Sequence, residues 1–238
     1  MKIAGWKRWA LIGVAALLVV VVGGPFVFFH FIEGKPPAPL ALTTVTTTPA
    51  GSRSTSTASA SSPATSGSVT GAWNVSSGSA GYRVKETLFG QSHTAVGRGT
   101  GVTGKFTIVG SKVTEGSFSV DMTTVTSDQN QRDGQFQHRI MDTSTYPTST
   151  FALSQPIDLG SLPAVGVQAS YTAIGQLTLH GTTKQVAIPL NAQRTASGIQ
   201  VSGSLEVTFA DWNINNPSGG PATTGDTGTL EFLLNFTH

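Results

Sequence analysis

The stretch Ile199-Gln200-Val201-Ser202-Gly203-Ser204-Leu205-Glu206-Val207-Thr208-Phe209 alternates apolar or small residues with polar ones along its whole length. Successive side chains of an extended chain point to opposite faces. Ile199, Val201, Gly203, Leu205, Val207 and Phe209 therefore form a buried face, and the residues between them a wet one. Three more runs repeat the pattern: Val102, Gly104, Phe106 and Ile108; Phe118, Val120 and Met122; and Leu230, Phe232, Leu234 and Phe236. Their opposite faces carry Ser117, Ser119 and Asp121, or Thr229, Glu231, Asn235 and Thr237, with Leu233 the large apolar exception. Turn signals such as Val109-Gly110-Ser111 and Ala196-Ser197-Gly198 fall between runs. Many half-buried strands joined by short turns predict an all-β sandwich or barrel.

One segment has another period. Between Asp128 and Met141, the apolar residues Phe136, Ile140 and Met141 stand among Gln129, Gln131, Arg132, Asp133 and Gln137. This spacing predicts a short helix whose apolar stripe lies against the barrel, although Gly134 weakens it.

Working outward, the 238 residues divide unevenly: 1–9 basic, 10–32 almost wholly apolar, 33–70 dominated by Ser, Thr, Pro and Ala, and 71–238 mixed. Only the last stretch is a conventional domain, large enough to bury about two-thirds of its unfolded surface. Ala10 to Ile32 carries no charge, and as a helix it reaches about 35 Å, enough for a hydrocarbon core of about 30 Å. Lys2, Lys7 and Arg8 precede it and Trp6 and Trp9 sit at its inner boundary. The expectation is a single-pass signal-anchor, with the N-terminus cytoplasmic and the domain extracytoplasmic. A cleaved signal peptide is the alternative. The run exceeds the usual apolar core of about 7–15 residues, and no small-x-small site follows it. Residues 33–70 lack periodicity and read as a disordered stalk of about 30–35 Å root-mean-square span.

The formal charge of +2 is not spread evenly. Lys2, Lys7, Arg8, Lys35 and Arg53 face one acid, Glu33, in the first seventy residues, leaving nine basic and eleven acidic side chains in the rest. A domain with an acidic excess is not a nucleic-acid binder. The absence of cysteine removes disulfides, thiolate catalysis and thiolate metal sites. The histidines at 30, 93, 138, 180 and 238 offer no closely spaced ligand pair. Gly99-Thr100-Gly101-Val102-Thr103-Gly104 matches a dinucleotide fingerprint, but strand period continues through Phe106 and Ile108 where a helix is required. Those glycines read as bends or a bulge. Gly90-Gln91-Ser92-His93-Thr94 falls short of a hydrolase elbow. No enzyme and no cofactor are expected.

Two stretches carry a family resemblance. Gly175-Gln176-Leu177-Thr178-Leu179-His180-Gly181-Thr182-Thr183-Lys184-Gln185-Val186-Ala187-Ile188-Pro189-Leu190 resembles the two strands around a Leu-Thr-x-His-Gly-x-Thr-Lys turn in the YceI-like family. Gln131-Arg132-Asp133 followed by Tyr146-Pro147-Thr148-Ser149-Thr150-Phe151 resembles that family's Arg-Asp element and Tyr-Pro-x-x-x-Phe strand start. The flanks agree in order: Trp-x-Val at Trp73, Tyr-Arg-Val at Tyr82, and Asp211-Trp212 near the end. The resemblance covers about 71–238. The tether, with the Gly-Arg-Gly and Gly-Ser-Leu-Glu-Val variants, looks like a membrane-anchored actinobacterial-type branch.

The resemblance implies a lipocalin-like antiparallel β-barrel of about eight strands with a lipid-filled interior. The implied ligand class is polyisoprenoid: an isoprenoid quinone, polyprenyl alcohol or polyprenyl phosphate. A barrel of that size encloses either side chains or one slender ligand, and periodicity does not separate the two. The candidate lining is Tyr82, Val84, Phe106, Ile108, Phe118, Val120, Phe136, Leu177, Leu179, Val186, Ile188, Leu205, Val207 and Phe232. Arg132, with Tyr82 or His180, is the candidate for a polar head group, since a planar guanidinium suits phosphate or quinone oxygens. The structural alternatives are an Arg132–Asp133 pair or helix cap and a turn role for His180. Uptake is expected through a mobile cap over 128–146. The other functional class open to the sequence is an adhesion or scaffold domain with a closed core. A homodimer is compatible with either.

Overall fold

The computed structural model describes residues 35–43, 69–220 and 222–238. The apolar run at 10–32, expected as a membrane anchor, lies outside the described residues, as does most of the expected stalk. Among the described residues no helix is long and apolar enough to cross a membrane.

The strands are β1 (Gly71–Leu88), β2 (Gln91–Gly99), β3 (Val102–Val109), β4 (Lys112–Asp121), β5 (Thr126–Ser127) and β6 (Thr148–Leu153). They continue with β7 (Ile157–Asp158), β8 (Gln168–Leu179), β9 (Thr182–Arg194), β10 (Ile199–Thr208), β11 (Ala222–Thr224) and β12 (Thr227–Thr237). Eight of them close a barrel in the order β12, β10, β9, β8, β6, β4, β3, β1 and back to β12, every pairing antiparallel. Closure leaves no unpaired edge around the ring, which is how an all-β domain avoids pairing with other chains.

β1 organises the closure. Its first residues pair with β3, its middle with β12 and its last half with β2. The Gly99 to Gly104 stretch is the break between β2 and β3, two strands that follow β1 end to end. It is a bend, with the amide of Val102 donating to Thr100 O at 2.8 Å, and no helix follows. At Gly81 a side chain is impossible, because an added Cβ would lie 1.9 Å from the carbonyl oxygen of Gly97 on β2.

The expected turn at His180-Gly181 is a two-residue hairpin with φ of 48° and 73°, joining Leu179 to Thr182. Positive φ at both central positions matches the twist of the flanking strands. The expected helix is present but shorter than 128–141. One α-helix, α1 (Asn130–Gln135), runs into a wide turn over Phe136–Ile140, in which the amide of Met141 donates to Phe136 O at 2.8 Å. Asp133 anchors its start by accepting from the Ser127 amide at 2.7 Å and hydroxyl at 2.6 Å.

Residues 35–43, assigned by the sequence to the stalk, lie as an extended strap across the outer wall of the barrel. The amide of Leu40 donates to Glu231 Oε2 at 3.2 Å, and that of Thr43 to Gln200 Oε1 at 2.8 Å. The Gln193 side chain donates to Thr43 O at 3.0 Å. Arg83 and Arg98 donate to the carbonyls of Pro37 and Ala38 while pairing with Glu231 at 2.9 and 2.8 Å. Outward-facing Glu231, Gln193 and Gln200 are consequently only 3%, 5% and 7% exposed. A segment without apolar periodicity is thus ordered by polar side chains on strands far away in sequence.

Candidate functional site

The inward faces of the eight strands do not meet everywhere. A cavity of about 350 Å³ occupies the end of the barrel beneath α1. A second, of about 140 Å³, lies toward the other end, behind Val69, Ile108 and Leu159. Phe118, Ile188 and Phe232 line both and form the partition between them. The interior is therefore neither a solid core nor an open pipe.

The larger cavity takes Tyr82 and Val84 from β1, Phe118 and Val120 from β4, Leu177 and Leu179 from β8, and Ile188 from β9. Leu205 and Val207 of β10 and Phe232 of β12 complete the wall, and Phe136 and Arg132 belong to its lid. Phe106 and Ile108 line the smaller cavity instead. Val186 has the inward parity of Ile188 but lines neither, and packs as a half-buried member of the core. Residues not among the candidates also line the larger cavity: Met122 and Val125 beyond β4, Phe209 and Ile214 around a tight helical turn, and Met141 and Ile140 in the lid. Met122, Phe209, Ile140 and Met141 carry a period signal; Ile214 sits in a loop and carries none.

The lid is held by stacking and by charge. Phe136 lies on Tyr82 with ring centroids 5.0 Å apart and planes 14° from parallel. Arg139, at the far end of the lid, donates to Gln135 Oε1 at 3.0 Å and to Pro217 O at 2.8 Å. Pro217 lines the same cavity, so this bond ties the lid to the loop that precedes β11.

At the mouth Arg132 pairs with Asp128 and with Glu86 Oε1, the latter at 3.3 Å, and His93 Nε2 stands 4.0 Å from the same carboxylate oxygen. Arg132 and Asp133 thus do not form the pair weighed from sequence; each has its own partners. Burial works against the charge of Arg132, but Asp128 and Glu86 outweigh it and hold its pKa above the ordinary value. Burial pushes the Tyr82 phenol well above its usual range; Arg132 opposes this and the neighbouring carboxylates reinforce it. Tyr82 therefore remains a neutral hydrogen-bonding group. His180 is a turn residue. Its Nδ1 lies 3.3 Å from Trp212 O and its ring meets Tyr146 edge-on at 4.5 Å, outside the cavity lining. Among the described residues no cluster of three or more His, Asp or Glu could hold a metal ion.

An eight-stranded antiparallel barrel with a largely apolar hollow beneath a short helix defines a closed all-β domain with internal space. Its wall offers greasy contact along a length and a few polar groups at one end. Within that class the assignment is definite: the chain belongs to the YceI-like domain family, whose model matches residues 52–236. The fold is similar to that of a polyisoprenoid binding domain from Saccharophagus degradans implicated in plant cell wall breakdown. The identity is 19% and the TM-score 0.55, covering 69% of this chain and 97% of that one. Burkholderia cenocepacia BcnA is 19% identical with a TM-score of 0.48, covering 67% of this chain and 94% of its own. A Campylobacter jejuni YceI protein is 14% identical with a TM-score of 0.43, covering 58% and 83%. No curated protein matches the chain.

Proposed function

We propose that this protein binds a polyisoprenoid, an isoprenoid quinone or a polyprenyl alcohol or phosphate, inside a barrel tethered at the outer face of a membrane by residues 10–32. The observation that carries the reading is the cavity of about 350 Å³ beneath α1, walled largely by apolar side chains of β1, β4, β8, β9, β10 and β12 and of the lid. A slender hydrocarbon chain entering such a space gains about 25 cal/mol per Å² of apolar surface removed from water. The family membership and the polyisoprenoid binding domain among its structural relatives support the choice of chain. Tyr82, Glu86 and Arg132 stand where a head group would rest. The basic residues before the apolar run support the orientation of the tether.

The test is extraction of the full chain, purified from membranes and exhaustively washed, with organic solvent followed by mass spectrometry. A prenyl lipid at a fixed ratio to protein is the expected result. Protein that carries no lipid and takes up no added prenyl chain would instead mark a scaffold domain.

A further inference from the structure

The partition between the two cavities has a definite construction. Phe118 on β4 and Phe232 on β12 are separated around the wall by β3 and β1, yet their ring centroids stand 5.3 Å apart. They meet across the lumen. Phe151 on β6 backs Phe118 at 5.5 Å, with the planes 26° from parallel.

Each ring sits beside a glycine of a neighbouring strand. A Cβ on Gly203 of β10 would lie 2.6 Å from Phe232 Cζ, and one on Gly175 of β8 would lie 2.4 Å from Phe151 Cζ. A Cβ on Gly104 of β3 would lie 2.7 Å from Phe118 Cβ. Large residues alternate with absent side chains in one layer, which fixes where the rings stand. A packed interior normally has few voids. Here voids lie on both sides of one aromatic layer.

Resting on the lipid-binding reading, we propose that the Phe118–Phe232 waist sets the length of chain the barrel accepts, by stopping the tail at the floor of the lid-side cavity. The cavity of about 140 Å³ beyond it is then spare length, closed to the ligand while the rings stand. Gly203 acts with them as a positioning residue, because any side chain there displaces Phe232.

The test uses the full chain and a ladder of prenyl alcohols of increasing length, with affinity measured for each. For the natural protein, affinity rises with each isoprene unit and then levels at a break point. Phe118→Ala with Phe232→Ala moves that break to longer chains, and each unit newly admitted past the waist binds about tenfold tighter. Phe118→Leu and Phe232→Leu, which keep an apolar side chain and the fold, shift the break in the same direction. Short chains that fit wholly on the lid side bind no variant more tightly than the natural protein, since truncating either ring only removes contacts from the floor they rest on. A break point that stays in place in the leucine variants, or a natural protein with no break, overturns the waist while leaving lipid binding intact. Absence of binding at every length overturns the lipid reading itself and the waist with it.

Discussion

Tyr82 and Phe136 stack nearly parallel, one on the barrel wall and the other on the lid, with 5.0 Å between ring centroids. Phe136 is buried, and its ring is an apolar contact between the lid and β1. Phe136→Ala is expected to cost about 3–4 kcal/mol by lost burial and the space left behind. Hydrogen exchange over 130–141 should quicken more than in the strands. Equal protection in both proteins would show that the stack does not hold the lid.

The phenol of Tyr82 gives a pH dependence with a definite sign. Its pKa in the folded protein lies above the ordinary value of 10.0, chiefly through burial. The folded state therefore keeps a proton that the unfolded chain releases above that value. The contribution is complete below pH 10.0 and is lost as pH rises toward the folded pKa. Denaturation midpoints should fall with pH in the alkaline range, and Tyr82→Phe should flatten the decline. An identical decline in the variant would assign the effect elsewhere.

Glu231 holds two guanidinium groups and a strap amide at once. Its side chain is 3% exposed, while those of Arg83 and Arg98 are 16% and 25% exposed. Removing the carboxylate leaves two largely covered cations without it. Glu231→Ala should cost about 2–3 kcal/mol, the lower side of what breaking a buried pair costs because water reaches the arginines. Residues 35–43 should then become sensitive to limited proteolysis. A loss under about 0.5 kcal/mol in a urea titration would remove the carboxylate from this role.

Gly81 is required by close approach of backbone. Gly81→Ala places a Cβ against the Gly97 carbonyl, and β1 must separate from β2 to admit it. A loss of about 3 kcal/mol or more is expected, read as a lowered denaturation midpoint with widened exchange at β2. A neutral effect would mean that the two strands yield freely there.

The period of two made β3, β4, β10 and β12 legible because each buries one face. β1 was harder to read, since Ser77-Gly78-Ser79-Ala80-Gly81 offers no bulky inward residue where the chain passes from β3 to β2. Most of the cavity wall follows from the same alternation. What alternation does not encode is where opposing side chains fail to touch, so Phe106 and Val186 read alike though one lines a hollow and the other fills a wall. The strap was hidden for another reason. Pro36-Pro37-Ala38-Pro39 has no pattern of its own, and its partners Arg83, Gln193, Gln200 and Glu231 are brought together only by closure of the barrel.

The strap also changes what a cut in the chain would do. Residues 35–43 grip the wall through five strand-borne side chains, and Val69 is buried in the core of the barrel. Scission anywhere from 44 to 68 therefore leaves two fragments clasped to each other, so a nicked molecule stays in one piece until the clasp itself is pulled open.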